Sequence, residues 1–74
     1  AEQLRRRGDF IAEAIARAVA AGDLPADTDP AQLAFQITSL MDAANGMSLL
    51  DDSSEPYARA RHAVNTLLTP RNHR

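Results

Sequence analysis

The side chains able to do chemistry are few, and their spacing argues against each reaction they could serve. Asp42, Asp51 and Asp52 are the densest carboxylates in the middle of the chain. Acid–base catalysis needs two carboxyls in different environments within one cleft, whereas adjacent loop aspartates share solvent and act as caps. His62 lies on the polar side of a helical pattern. No histidine or carboxylate stands at i±3 or i±4 from it to complete a metal pair. Ser39 and Ser48 sit inside a helical pattern and lack the sharp turn of a nucleophile elbow. Asp27-Thr28-Asp29 opens like a calcium loop but has neither its glycine nor its distal glutamate. With no cysteine, disulfides and thiolate zinc sites are ruled out. No catalytic residue, metal site or cofactor is expected, and the chain is not expected to be an enzyme.

Binding is the remaining class, and charge narrows it. Arg5-Arg6-Arg7 and, at the other end, Arg71 and Arg74 are the basic clusters. Eight arginines face ten acids, for a net charge of −2. Solvated helix faces account for that pattern, and no basic surface for nucleic acid results. No apolar run approaches the ~18 residues of a membrane span, and no signal-peptide pattern is present, so a cytoplasmic protein without membrane contact is expected. Fifteen alanines and only three aromatics (Phe10, Phe35 and Tyr57) fit closely packed helices, not a sheet.

Three helices are predicted, over about 2–21, 30–50 and 56–68, forming an all-α fragment of a helical bundle across 1–69, with a flexible tail over 70–74. In the first, Leu4, Ile11, Ala14, Ile15, Ala18 and Val19 share one side, and Gly22 then Pro25 stop it. Asp29-Pro30 is a cap followed by proline at the first helical position, a strong start signal. The second helix carries a main stripe of Leu33, Ile37, Leu40, Met41, Ala44 and Met47. Phe35 and Leu49 lie on its far side, with Ala43 and Leu50 between. A helix apolar on more than one side is surrounded by protein on more than one side. Asp42 and Asn45 interrupt it at i,i+3 spacing, either at a water edge or as a polar patch within an interface or pocket. In the third helix Tyr57, Ala60, Val64, Leu67 and Leu68 form a narrow stripe, while Arg59, His62, Asn65 and Thr66 face away.

A single core of this size rarely supplies more than about 3–5 kcal/mol, so a partner is needed. A two-fold homodimer through the second and third helices is the simplest answer. Phe35, Asp42, Asn45, Leu49, Tyr57, Ala60, Val64, Leu67 and Leu68 are its candidate contact residues. The first helix starts without a capping residue and has three arginines near its positive end. Phe10 also lies about 110° off that helix's stripe. Both features suggest the C-terminal part of a longer protein, with Phe10 against the missing portion.

The order of signals resembles the C-terminal regulatory domain of TetR-family transcriptional regulators. The likeness runs from Ala20-Ala21-Gly22-Asp23-Leu24 through Asp27-Thr28-Asp29-Pro30. It continues in Gln32-Leu33-Ala34-Phe35, Ala44-Asn45 and the closing Ala58-Arg59-Ala60-Arg61-His62-Ala63-Val64 with Leu67-Leu68. It departs at Asp42-Ala43, where many members place a glycine second. The resemblance implies pairing with a second copy into a four-helix bundle across a two-fold axis. It also implies a small-molecule effector, unnamed, bound among the helices of the parent regulator. Phe10, Ile11, Ala14, Ile37 and Met41 are the candidates for one side of that pocket. A free-standing helical adaptor acting through protein contacts is the alternative. No helix-turn-helix with a basic recognition helix occurs in these residues. The chain alone should therefore leave a generic duplex unshifted at micromolar protein and low salt, because its acidic balance removes the counterion-release drive.

Overall fold

A computed structural model describes residues 2–69, apart from the side chain of Leu4; the tail expected over 70–74 lies outside the described residues. The architecture is all-α, with α1 (Glu2–Ala20), α2 (Pro30–Asp51) and α3 (Glu55–Leu68) in succession. The ends of these helices follow from identifiable local chemistry. α1 closes on Gly22, whose φ of +86° places it in the left-handed region. The Gly22 amide donates to the Val19 carbonyl at 3.0 Å and the Asp23 amide to that of Ala18 at 2.9 Å. These two bonds define a Schellman end, and they return Leu24 to the core.

α2 begins as its cap signal predicts. Asp29 Oδ1 accepts from the amides of Ala31 and Gln32 at 3.1 and 3.2 Å, with Pro30 in the first turn. The far end differs slightly from expectation, since Asp51 continues the helix and Glu55 already belongs to the next. Asp52 makes this compact turn possible by taking a left-handed φ of 50°, a conformation that aspartate tolerates better than most residues. The amides of Asp52 and Ser53 both donate to the Ser48 carbonyl. Ser54 gives no side-chain cap to α3; Ser53 Oγ instead accepts from the Glu55 amide at 3.1 Å.

Two short connections make an up-down-up layer with α2 in the middle. α1 and α3 each lie against α2, and among the described residues their backbones do not approach one another. The result is a slab measuring 39 × 36 × 14 Å. Its core is correspondingly slight. Among the described residues Ile15, Leu33, Ala34, Ala44, Pro56 and Ala60 are the buried apolar residues, so three of the six are alanine. Those alanines bring the helices close without adding much buried area. Ile11, Ala12, Val19, Leu24, Ile37, Leu67 and Leu68 surround the Ile15–Leu33–Ala34 cluster, each only partly covered.

The arginine-rich start of α1 is moderated by Glu2, which pairs with Arg5 at 3.5 Å and Arg6 at 3.2 Å. Both pairs are exposed, so each contributes little to stability. The Asp29 cap is a cleaner local contribution. Asp29→Ala should lower stability by about 1 kcal/mol, and Asp29→Asn should retain most of it, as read from urea-unfolding midpoints.

Candidate functional site

The middle helix has two faces that its neighbours leave open. On the outer face, Phe35, Ser39, Ala43, Gly46 and Leu50 fall within roughly 80° of arc around α2. All five are exposed. Phe35 is 67% exposed and Leu50 86%, with Leu49 beside them at 77%. Large apolar side chains thus flank a strip of small residues. A Cβ built on Gly46 meets nothing within 4 Å, so this strip is open in the single chain. Beside it runs an apolar groove between α2 and α3, lined by Phe35, Gln36, Ser39, Leu40, Ala63, Thr66 and Leu67.

The inner face lies about 180° around α2 from Ser39 and carries Ile37 and Met41. There α2 and α3 border an open hollow of about 310 Å³ lined by Ile37, Met41, Tyr57, Arg61, Val64 and Asn65. Tyr57 Oη donates to Asn45 Oδ1 at 2.7 Å and ties the start of α3 to the middle of α2. The opposite neighbour is tied by Arg7, whose Nη2 donates to Asp42 Oδ1 at 2.6 Å. These two bonds are the side-chain links between helices among the described residues. Each holds one outer helix to α2, and both lie toward its C-terminal half.

The sequence-predicted interface residues therefore divide. Phe35 and Leu49 stand free on the outer face. Asp42 and Asn45 keep exposed positions, yet their oxygens accept from Arg7 and Tyr57 of the same chain. Ala60 is buried against α2, and Val64, Leu67 and Leu68 are half-buried; the stripe of α3 is largely turned toward its own α2. Of the predicted pocket residues, Ile37 and Met41 meet in the inner hollow. Ile11 borders the core, whereas Phe10 (68% exposed) and Ala14 project from α1 without taking part in that hollow. Arg7 departs from the solvated arginine face expected of it, because its long side chain reaches Asp42 on α2. Arg61 and Asn65 went unnoticed as pocket residues. Their i,i+4 spacing beside Tyr57 and Val64 was the available signal.

Among the described residues no group of three or more histidines, aspartates or glutamates could hold a metal ion, and the geometry offers surfaces for association. The sequence matches the tetracyclin repressor-like C-terminal domain family over residues 1–64. The chain belongs to this family. No match is found among curated proteins or among solved structures. Membership of a tetracyclin repressor-like domain family gives the chain a regulatory setting, that of transcription. None of its described helices is long and apolar enough to cross a membrane.

The tie between α1 and the rest of the domain is open to measurement. Arg7 and Asp42 are about half exposed, at 47% and 48% of their side chains. A double-mutant cycle with Arg7→Gln and Asp42→Asn should give a coupling of roughly 0.5–1 kcal/mol that shrinks in high salt. Urea unfolding at low and high sodium chloride reads both quantities.

Proposed function

We propose that this chain is the dimerisation and effector-sensing part of a TetR-like DNA-binding regulator, working in the cytoplasm as a homodimer. The outer face of α2 carries the proposal. Phe35, Leu49 and Leu50 are exposed around Ser39, Ala43 and Gly46, and family membership supplies the setting. Three apolar side chains exposed on one side of a central helix favour a second protein layer. A second copy supplies it with the same strip, as a two-fold contact requires. Small residues at the crossing let two α2 helices approach to roughly 8–10 Å. The groove beside Phe35, whose accessible surface is mostly apolar, continues the surface onto α3. Contact through both helices would produce the four-helix bundle.

The inner face would then be left for the effector. Its hollow lies on the side of α2 away from the proposed dimer, with α2 common to both surfaces. A ligand wedged between α2 and α3 would alter how α3 sits on α2, and hence the shape of the surface offered to the second copy. Such a coupling is what a sensor of this kind requires. Among the described residues no helix presents a basic recognition face, so the DNA contact belongs to a part of the regulator other than these helices.

The oligomeric state tests this reading through variants that leave the chain's own core alone. Light scattering after gel filtration should give twice the 8.0 kDa chain mass, and the melting temperature should rise with protein concentration. Gly46→Arg and Phe35→Asp should each yield monomers, since neither residue supports the fold of the single chain. By contrast, a monomeric surface offers Gly46→Ala only the helix-propensity gain of about 1 kcal/mol. A concentration-independent melt at 8.0 kDa, together with that gain, would overturn the dimer.

A further inference from the structure

The inner hollow is apolar on its floor and carries a cation on one wall. Ile37 and Met41 of α2 and Val64 of α3 give the apolar part, and Tyr57 also lines it. The Tyr57 hydroxyl is engaged by Asn45, which fixes how the ring is presented. Arg61 and Asn65 form the remaining border, one helical turn apart.

The pairing of charges on these helices singles out Arg61. Its neighbour on α3, Arg59, is held by Glu55 at 3.0 Å. Across the layer, the α2 carboxylate of Asp42 is held by Arg7. Arg61 has no ion pair among the described residues, and the hollow it borders contains no carboxylate. In a chain with a net charge of −2, this is an uncompensated cation beside an apolar surface. A guanidinium there offers a planar, two-pronged donor set suited to a carboxylate. The Asn65 amide, one turn away, supplies a further hydrogen-bonding group at the same rim.

We infer that the hollow takes a small organic carboxylate with an apolar body, its body on Ile37, Met41 and Val64 and its carboxylate on Arg61. The inference rests on the effector-sensing reading and adds a chemical class to it. At about 310 Å³ the hollow is at the small end of ligand sites, so a short acyl or single-ring acid suits it better than a large ligand. A cationic amphiphile of the same length meets Arg61 with like charge, and a neutral one gains the apolar contact alone.

Octanoate, 1-octanol and octylamine share one body and differ in their heads, so they separate these contributions. Each is titrated into the ¹⁵N-labelled chain at low ionic strength, and amide shifts are followed at Ile37, Met41, Arg61 and Asn65. Octanoate should bind roughly threefold or more tighter than 1-octanol, with octylamine weakest. Arg61→Gln, at an exposed position, should reduce octanoate to the level of 1-octanol and leave 1-octanol unchanged. If 1-octanol matches octanoate in the hollow, or Arg61→Gln changes nothing, the carboxylate inference fails while the effector site stands. If octanoate shifts only residues of the outer groove, the inference also fails. If no probe moves the hollow residues, the inference and the inner-face effector site fail together.

Discussion

A central helix with only two neighbours is the constraint on which this molecule depends. α2 is mildly apolar around much of its circumference, and the backbones of α1 and α3 lie on it without approaching each other. Neither can shield the side of α2 that bears Phe35 and Leu50. Most domains bury apolar faces between two or more layers, and a single open layer cannot. The alanine-rich contacts of α2 sharpen the difficulty. They set the helices close together but bury little area per residue, so the large side chains end up on the surface.

The polar contacts of the layer fit the same constraint. Arg7–Asp42 and Tyr57–Asn45 hold the two flanking helices to α2 near its C-terminal half. The apolar cluster around Ile15 and Leu33 gathers where the other ends meet. Packing continues along α3, where Pro56 and Ala60 are buried close to the Tyr57–Asn45 bond. Two internal hydroxyls, Thr38 Oγ1 and Ser48 Oγ, are buried without a partner, a mild cost that a fuller core would normally avoid. An exposed charge-assisted bond and a phenol–amide bond are easier to rearrange than packed side chains.

Helix periodicity leaves α2 with two open faces. The small-residue strip and the hollow lie on opposite sides of one helix, and α3 borders both the hollow and the groove beside the strip. Arg61 and Thr66 illustrate this on α3: the first borders the hollow and the second the outer groove. Membership of the tetracyclin repressor-like C-terminal domains agrees with such an economy of parts.

Local signals in the sequence determined the three helices, because caps and stops are one- to four-residue events. Asp29-Pro30, Gly22 and the Asp51–Pro56 segment place the ends to within a residue or so, and each is confirmed by specific hydrogen bonds. Periodicity also marked Phe35 and Leu49 as apolar residues on the wrong side of α2, and Phe10 as one off the stripe of α1. Only the tertiary structure decided which polar residues pair. Asp42 and Asn45 looked alike along the helix, yet one turns to α1 and the other to α3, since their neighbours lie 35 and 12 residues away in the chain. It also decided that the stripe of α3 is mostly used on its own α2, leaving the open strip on α2 itself. A stripe read from sequence gives a face and its width; how much of that face a neighbour covers depends on crossing angle and approach distance, which no local pattern contains.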